Sequence, residues 1–90
     1  MDCEWDPAKN RSDFAKHGLD FEDAEQVLDG NCFTVEDRCF IYGERRLITK
    51  GLLDGRAVVM AHVQRGDSNR IVSMRRANRR EQKIYQKRFG

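Results

Sequence analysis

Residues 46–75 read RLITKGLLDGRAVVMAHVQRGDSNRIVSMR, and the turn signals inside this stretch decide the fold. Asp54-Gly55 parts RLITKGLL from RAVVMAHVQR, a pair suited to a two-residue type I′ turn because both central residues take positive φ. Gly66-Asp67-Ser68-Asn69 parts the second run from RIVSMR. Two consecutive hairpins, hence three antiparallel strands, are expected.

A one-residue slip in register would invert every side chain, so the pairing can be tested for consistency. With Arg65 opposite Arg70 across a four-residue loop, Val63 faces Val72 and Ala61 faces Met74 on an oily side. The opposite side then carries His62, Gln64, Ser73 and Arg75, interrupted by Met60 and Ile71. With Leu53 opposite Arg56, Arg45, Leu47 and Thr49 join the polar side and Ile48 and Leu52 the core. Lys50 is left pointing at the apolar side unless a bulge near Gly51 turns it out.

Outward from the hairpins, Asp6-Pro7 announces a helix: Asp accepts from the first-turn N–H groups, and Pro at the first position gives up a donor that had no partner. Gly18 ends it, with Lys16 and His17 beside the negative pole of the dipole. A second helix starts at Asp20, carries Phe21, Ala24, Val27 and Leu28 on one side, and stops at Asp29-Gly30. Cys32 to Glu36 reads as a short strand and Asp37 to Glu44 as a connecting loop. The opening MDCEW alternates too briefly to assign, although Cys3 and Trp5 would share a face if extended. Asn78 with Glu81 three residues on forms a capping box, so a last helix starts there and runs to Lys87 with a narrow apolar seam. The expected architecture is α+β: two N-terminal helices packed on an antiparallel β-sheet, followed by a basic C-terminal helix, in one domain over residues 1–90. Trp5, Phe14, Phe21 and Phe33 are the aromatic core candidates.

Charge divides this chain. From Arg70 to the end there are eight Lys or Arg against Glu81 alone, whereas the first 37 residues hold eleven acids against three bases. The overall +2 therefore understates the field at the C-terminal end, which would attract an anion such as a phosphodiester backbone. At 90 residues, 36% charged and mean hydropathy −0.80, there is room for one modest core and no second domain. Cys3, Cys32 and Cys39 follow no paired spacing, so neither a metal site nor an internal disulfide framework is expected. No apolar run nears 18 residues and no basic-then-apolar leader opens the chain, which leads us to expect a soluble, cytoplasmic protein with reduced thiols and no cofactor.

On the polar side of the sheet, Arg45, His62 and Arg75 would meet an RNA strand, with Arg76, Arg79, Arg80 and Lys83 along the rim. Guanidiniums bind phosphate oxygens bidentately and can stabilise the charge of a phosphorane. His62, with an ordinary pKa near 6.5, suits proton transfer at neutral pH, or is a strand histidine satisfied by Ser73. Tyr85 either stacks on a base or packs the seam of the last helix.

Four segments, EWDPAKN (4–10), KHGLDFEDA (16–24), GLLDGR (51–56) and IVSMRRANRREQKIY (71–85), resemble the BrnT family, RelE-like ribonuclease toxins of bacterial type II toxin–antitoxin pairs. The resemblance implies a compact α+β fold and RNA cleavage that halts translation. It also implies a BrnA-type antitoxin with a ribbon-helix-helix part, in a heterotetramer that meets operator DNA only through that antitoxin. It carries over to Arg75 and to the basic residues after it. Met74 stands where the family often has Ala, and Asn78 where Thr or Ser is frequent. A module that holds nucleic acid without cutting it, or a co-repressor subunit, is the competing function.

Overall fold

In the computed structural model, which describes residues 2–37 and 46–89, the chain forms strand β1 (Asp2–Trp5), helix α1 (Pro7–His17), a 3-10 turn (Phe21–Asp23) leading into helix α2 (Ala24–Asp29), strands β2 (Phe33–Asp37), β3 (Arg46–Leu53), β4 (Arg56–Arg65) and β5 (Ser68–Arg76), and helix α3 (Arg79–Phe89). The helix signals act as their chemistry requires. Asp6 Oδ1 accepts from Ala8 N–H at 2.9 Å, and Gly18, at φ 70°, donates its N–H to Phe14 O at 2.8 Å. Asp20 Oδ1 accepts from both Glu22 N–H and the Asn10 side chain, each at 3.0 Å, which ties the turn before α2 back to α1.

The strands form one sheet in the order β1-β5-β4-β3-β2. Among the described strands only β1 is parallel to its neighbour. Strands thus begin before the first helix, which corrects the expectation of helices followed by a purely antiparallel sheet. The short MDCEW segment gains its strand from pairing with β5, a long-range partner that four residues cannot announce. Beyond Trp5, Asp13 of α1 accepts from Met74 N–H at 3.4 Å, so the helix serves the edge of β5 where β1 has ended.

Both hairpins form. Asp54 and Gly55 take φ 52° and 78°, as a type I′ turn needs, and Leu53 lies opposite Arg56. At the second turn the loop is two residues, not four: Arg65 pairs with Ser68 around Gly66-Asp67, Gly66 taking φ 59°. The register then shifts, because Ala61 faces Ser73 while His62 faces Ile71, leaving Val72 as the extra residue of a bulge.

This bulge reverses the expected faces. It returns Met74 to the side of Ile71, where both join Met60 and Val58, and that side is covered by α1, α2 and the segment between them, with Leu19, Phe21, Ala24 and Val27 packed against it. Met60 and Ile71, read as interruptions of a polar face, are instead the centre of the core, with Trp5, Cys3 and Leu28 packed at its margin. Burying each such side chain contributes about 1.5–3 kcal/mol. Gly51 makes this possible on β3: a Cβ there would lie 2.9 Å from Val27 Cγ1, so α2 sits against bare backbone. Phe14 is not in the core; it is 53% exposed on α1.

Helix α3 crosses the opposite side of the sheet near β2 and β3. Tyr85 is buried there, its hydroxyl donating to Asn31 O at 2.7 Å and its ring packed with Phe33 and Phe89. Both sides of the sheet therefore carry helix. The connection expected over 37–44 falls outside the described residues apart from Asp37, which ends β2.

Candidate nucleic-acid interface

Successive strand residues alternate sides, so the rows crossing the sheet on the α3 side follow from the register. One row is Phe33, Lys50, Val59 and Arg75; the next is Val35, Ile48, Ala61 and Ser73; the third is Asp37, Arg46, Val63 and Arg70, with Glu4 beside Arg70. Lys50 and Arg75 stand in the first row and Arg46 and Arg70 in the third, the latter beside the acids Asp37 and Glu4, with a largely apolar strip between the rows. Those rows lie four residues apart along β4, about 13 Å at the rise of a strand. No bulge turns Lys50 out: β3 pairs in unbroken register on both sides, and the ammonium lies 5.7 Å from the Phe33 ring centroid.

Arg75 ends this surface where β5 meets α3. Its Nη1 and Nη2 donate to the two oxygens of Glu81 at 2.8 Å each, and Nη1 also reaches Arg76 O at 3.3 Å. The side chain is 42% exposed, so the guanidinium is held without being hidden. Glu81 in turn accepts from Asn78 N–H at 2.9 Å and donates its own N–H to Asn78 Oδ1 at 2.8 Å, the expected capping box. The hydrogen bonds from Arg75 hold the Glu81 carboxyl at a pKa of about 2, with Asn78 N–H and the charges of Arg75 and Lys50 adding to the effect. The same hydrogen bond raises the pKa of Arg75.

His62 is not on this surface. It lies on the side of α1 and α2 with Met60, 3% exposed, in a chain of hydrogen bonds that crosses four strands. Thr34 Oγ1 meets Thr49 Oγ1 at 2.7 Å, Thr49 Oγ1 meets His62 Nε2 at 2.7 Å, and His62 Nδ1 meets Asn69 Oδ1 at 2.9 Å. Because Asn69 Oδ1 only accepts, Nδ1 carries the proton and Nε2 accepts from the threonine hydroxyl. Burial lowers the His62 pKa, partly offset by the bond to Asn69. The expected partner Ser73 is on the other side of the sheet, because the bulge carried it there.

The remaining expected site residues separate in the same way. Arg79, Arg80 and Lys83 line a shallow groove with Ile84 and Lys87 on α3. Arg76 is exposed but belongs to the α1 and α2 side, in a hollow with Gly18, Leu19, Asp23 and Leu53. Tyr85, 7% exposed with its hydroxyl engaged, holds α3 to the sheet. Arg45 lies outside the described residues.

Lys50, Arg46 and Arg70 were not expected in the site. Lys50 did leave a signal, a charge in an otherwise apolar alternation. Arg70 heads the cationic end of the sequence, but only the bulge at Val72 puts it on the same side of the sheet as Arg75. Among the described residues no three of His, Cys, Asp and Glu converge to hold a metal ion, and no helix is long and apolar enough to cross a membrane. The model of a family described as ribonuclease toxin, BrnT, of type II toxin–antitoxin system matches residues 5–81 of the chain. No curated protein matches it.

Proposed function

The chain belongs to the BrnT family of ribonuclease toxins of type II toxin–antitoxin systems, and from that premise we propose that it is a RelE-like endoribonuclease that cuts RNA without a metal ion and so inhibits translation. The ribose 2′-OH attacks the adjacent phosphorus, water taking its proton. The P–O5′ bond breaks, O5′ takes a proton from water, and a 2′,3′-cyclic phosphate remains. Arg75 meets the phosphorane oxygens, where a fixed cation contributes about 3 kcal/mol to the transition state. Arg45 is placed second in this role. Lys50, Arg46, Arg70, Arg79, Arg80 and Lys83 attract and align the strand.

The observation that carries this reading is the bidentate anchoring of a half-exposed Arg75 on the sheet surface that also carries Lys50 in the same row. In it His62 supports the sheet from behind and moves no proton. The burial of His62 away from that surface also favours the competing reading, a module that retains RNA uncut. Incubation of purified protein with RNA in EDTA decides between them. Products ending in cyclic phosphate, lost by about a hundredfold in Arg75→Ala, support the nuclease. Intact RNA held in a salt-sensitive complex supports the module.

A type II toxin has an antitoxin partner. We infer a BrnA-type ribbon-helix-helix protein, in a heterotetramer that reaches operator DNA through the antitoxin alone. Crosslinks of the complex confined to residues 1–37 would place it on the acidic helices; crosslinks on α3 would place it over the cationic end.

A further inference from the structure

We propose that Glu81 is a positioning residue for RNA cleavage: its carboxylate orients the Arg75 guanidinium so that the two N–H groups left over, on Nε and on Nη2, form a fork for the oxygens of one phosphate. The inference rests on the reading of Arg75 given above. A guanidinium has five N–H groups in one plane. Two point end-on at Glu81 and a third at Arg76 O. The two that remain are parallel, share the Nε edge, and meet no acceptor among the described residues. That edge has the spacing that phosphate oxygens accept bidentately.

Glu81 can act as an anchor because it is itself anchored. It sits in the first turn of α3, and its carboxylate also accepts from Asn78 N–H at 2.9 Å. A flexible side chain on the last residues of β5 is thus tied to the start of a helix. The negative charge of the carboxylate does not stand against the phosphate alone. Lys50 bears on the same carboxylate, and the Arg88 guanidinium lies 4.6 Å from the Phe33 ring centroid on this side of the sheet. Carboxylate and phosphate occupy adjacent edges of one cation and do not compete for it.

The test measures kcat and KM for cleavage of a short fluorescent oligoribonucleotide by the full chain, as wild type, Glu81→Gln, Glu81→Asp, Arg75→Lys, Arg75→Ala and the double variant of Arg75→Lys with Glu81→Gln. Glutamine keeps the acceptor for Asn78 N–H but not the charge held by Arg75, so the melting temperature should fall modestly while the chain stays folded. Expected is a loss of about tenfold in kcat for Glu81→Gln with KM nearly unchanged, since a misplaced group costs rate before affinity. Aspartate, one methylene shorter, should also lower kcat. In the Arg75→Lys background Glu81→Gln should cost nothing further, because lysine has no fork to aim. If Arg75→Ala is slow while Glu81→Gln cuts at the wild-type rate or faster, or if Glu81→Gln costs the same in both backgrounds, this inference is overturned and the reading of Arg75 survives. Arg75→Ala cutting at the wild-type rate overturns both.

Discussion

At the scale of single residues, the two side chains first expected to share a site are separated by the thickness of the sheet. Arg75 pairs across to Val59 and His62 stands beside Met60, and neighbours on a strand point to opposite sides. His62 is therefore a buried, neutral imidazole with both nitrogens engaged. Its pKa is lowered in the folded state, so the unfolded chain binds the proton more tightly. Stability from this group is fully present above the ordinary value of 6.5 and is lost as pH falls below it towards the folded pKa. The melting temperature should accordingly fall between pH 7 and pH 5, and His62→Gln should flatten that fall. The same variant should leave the shape of the pH–rate profile of cleavage unchanged. A profile that loses a limb would return His62 to the chemistry.

At the scale of elements, the helices are joined to the sheet at a few points that single substitutions can probe. Gly51→Ala places a methyl 2.9 Å from Val27 Cγ1 in α2 and 3.0 Å from Cys32 Cβ just before β2, so these neighbours must shift. We expect a loss of about 1–3 kcal/mol in denaturant unfolding, with little change in RNA affinity. Asn78→Ala removes the bond to Glu81 N–H at the start of α3 and should cost about 1 kcal/mol. Because the same turn holds Arg75 through Glu81, this variant should also slow cleavage, which Asp6→Ala at the start of α1 should not. The capping box at Asn78 and the Asp54-Gly55 turn were legible in the sequence because each is decided within four residues, whereas the turn after Arg65 was read two residues too long. The bulge at Val72 was not, because nothing local distinguishes it from regular alternation.

At the scale of the whole molecule, the surface and the charge division bear on affinity. The cations of α3 and of the sheet face act on the phosphate backbone chiefly through released counterions. Replacing Arg79, Arg80 and Lys83 together by Gln should lower the salt slope of single-stranded RNA binding by about 2, at roughly 0.7 per phosphate contact. The fold should be unaffected, since all three side chains are exposed. An unchanged slope would move the RNA off α3.

The sequence by itself determined where the first and last helices begin, that two hairpins close, and that one end of the chain is strongly cationic. Each of these depends on residue type at short range or on a sum that geometry cannot alter. Which side of the sheet became the interior was decided only in the tertiary structure. There the helices chose the side with Phe21, Val27, Met60, Ile71 and Met74, and one extra residue in β5 brought the last two together. Buried area is a property of surfaces that meet, and a strand read alone does not say which of its sides will be met.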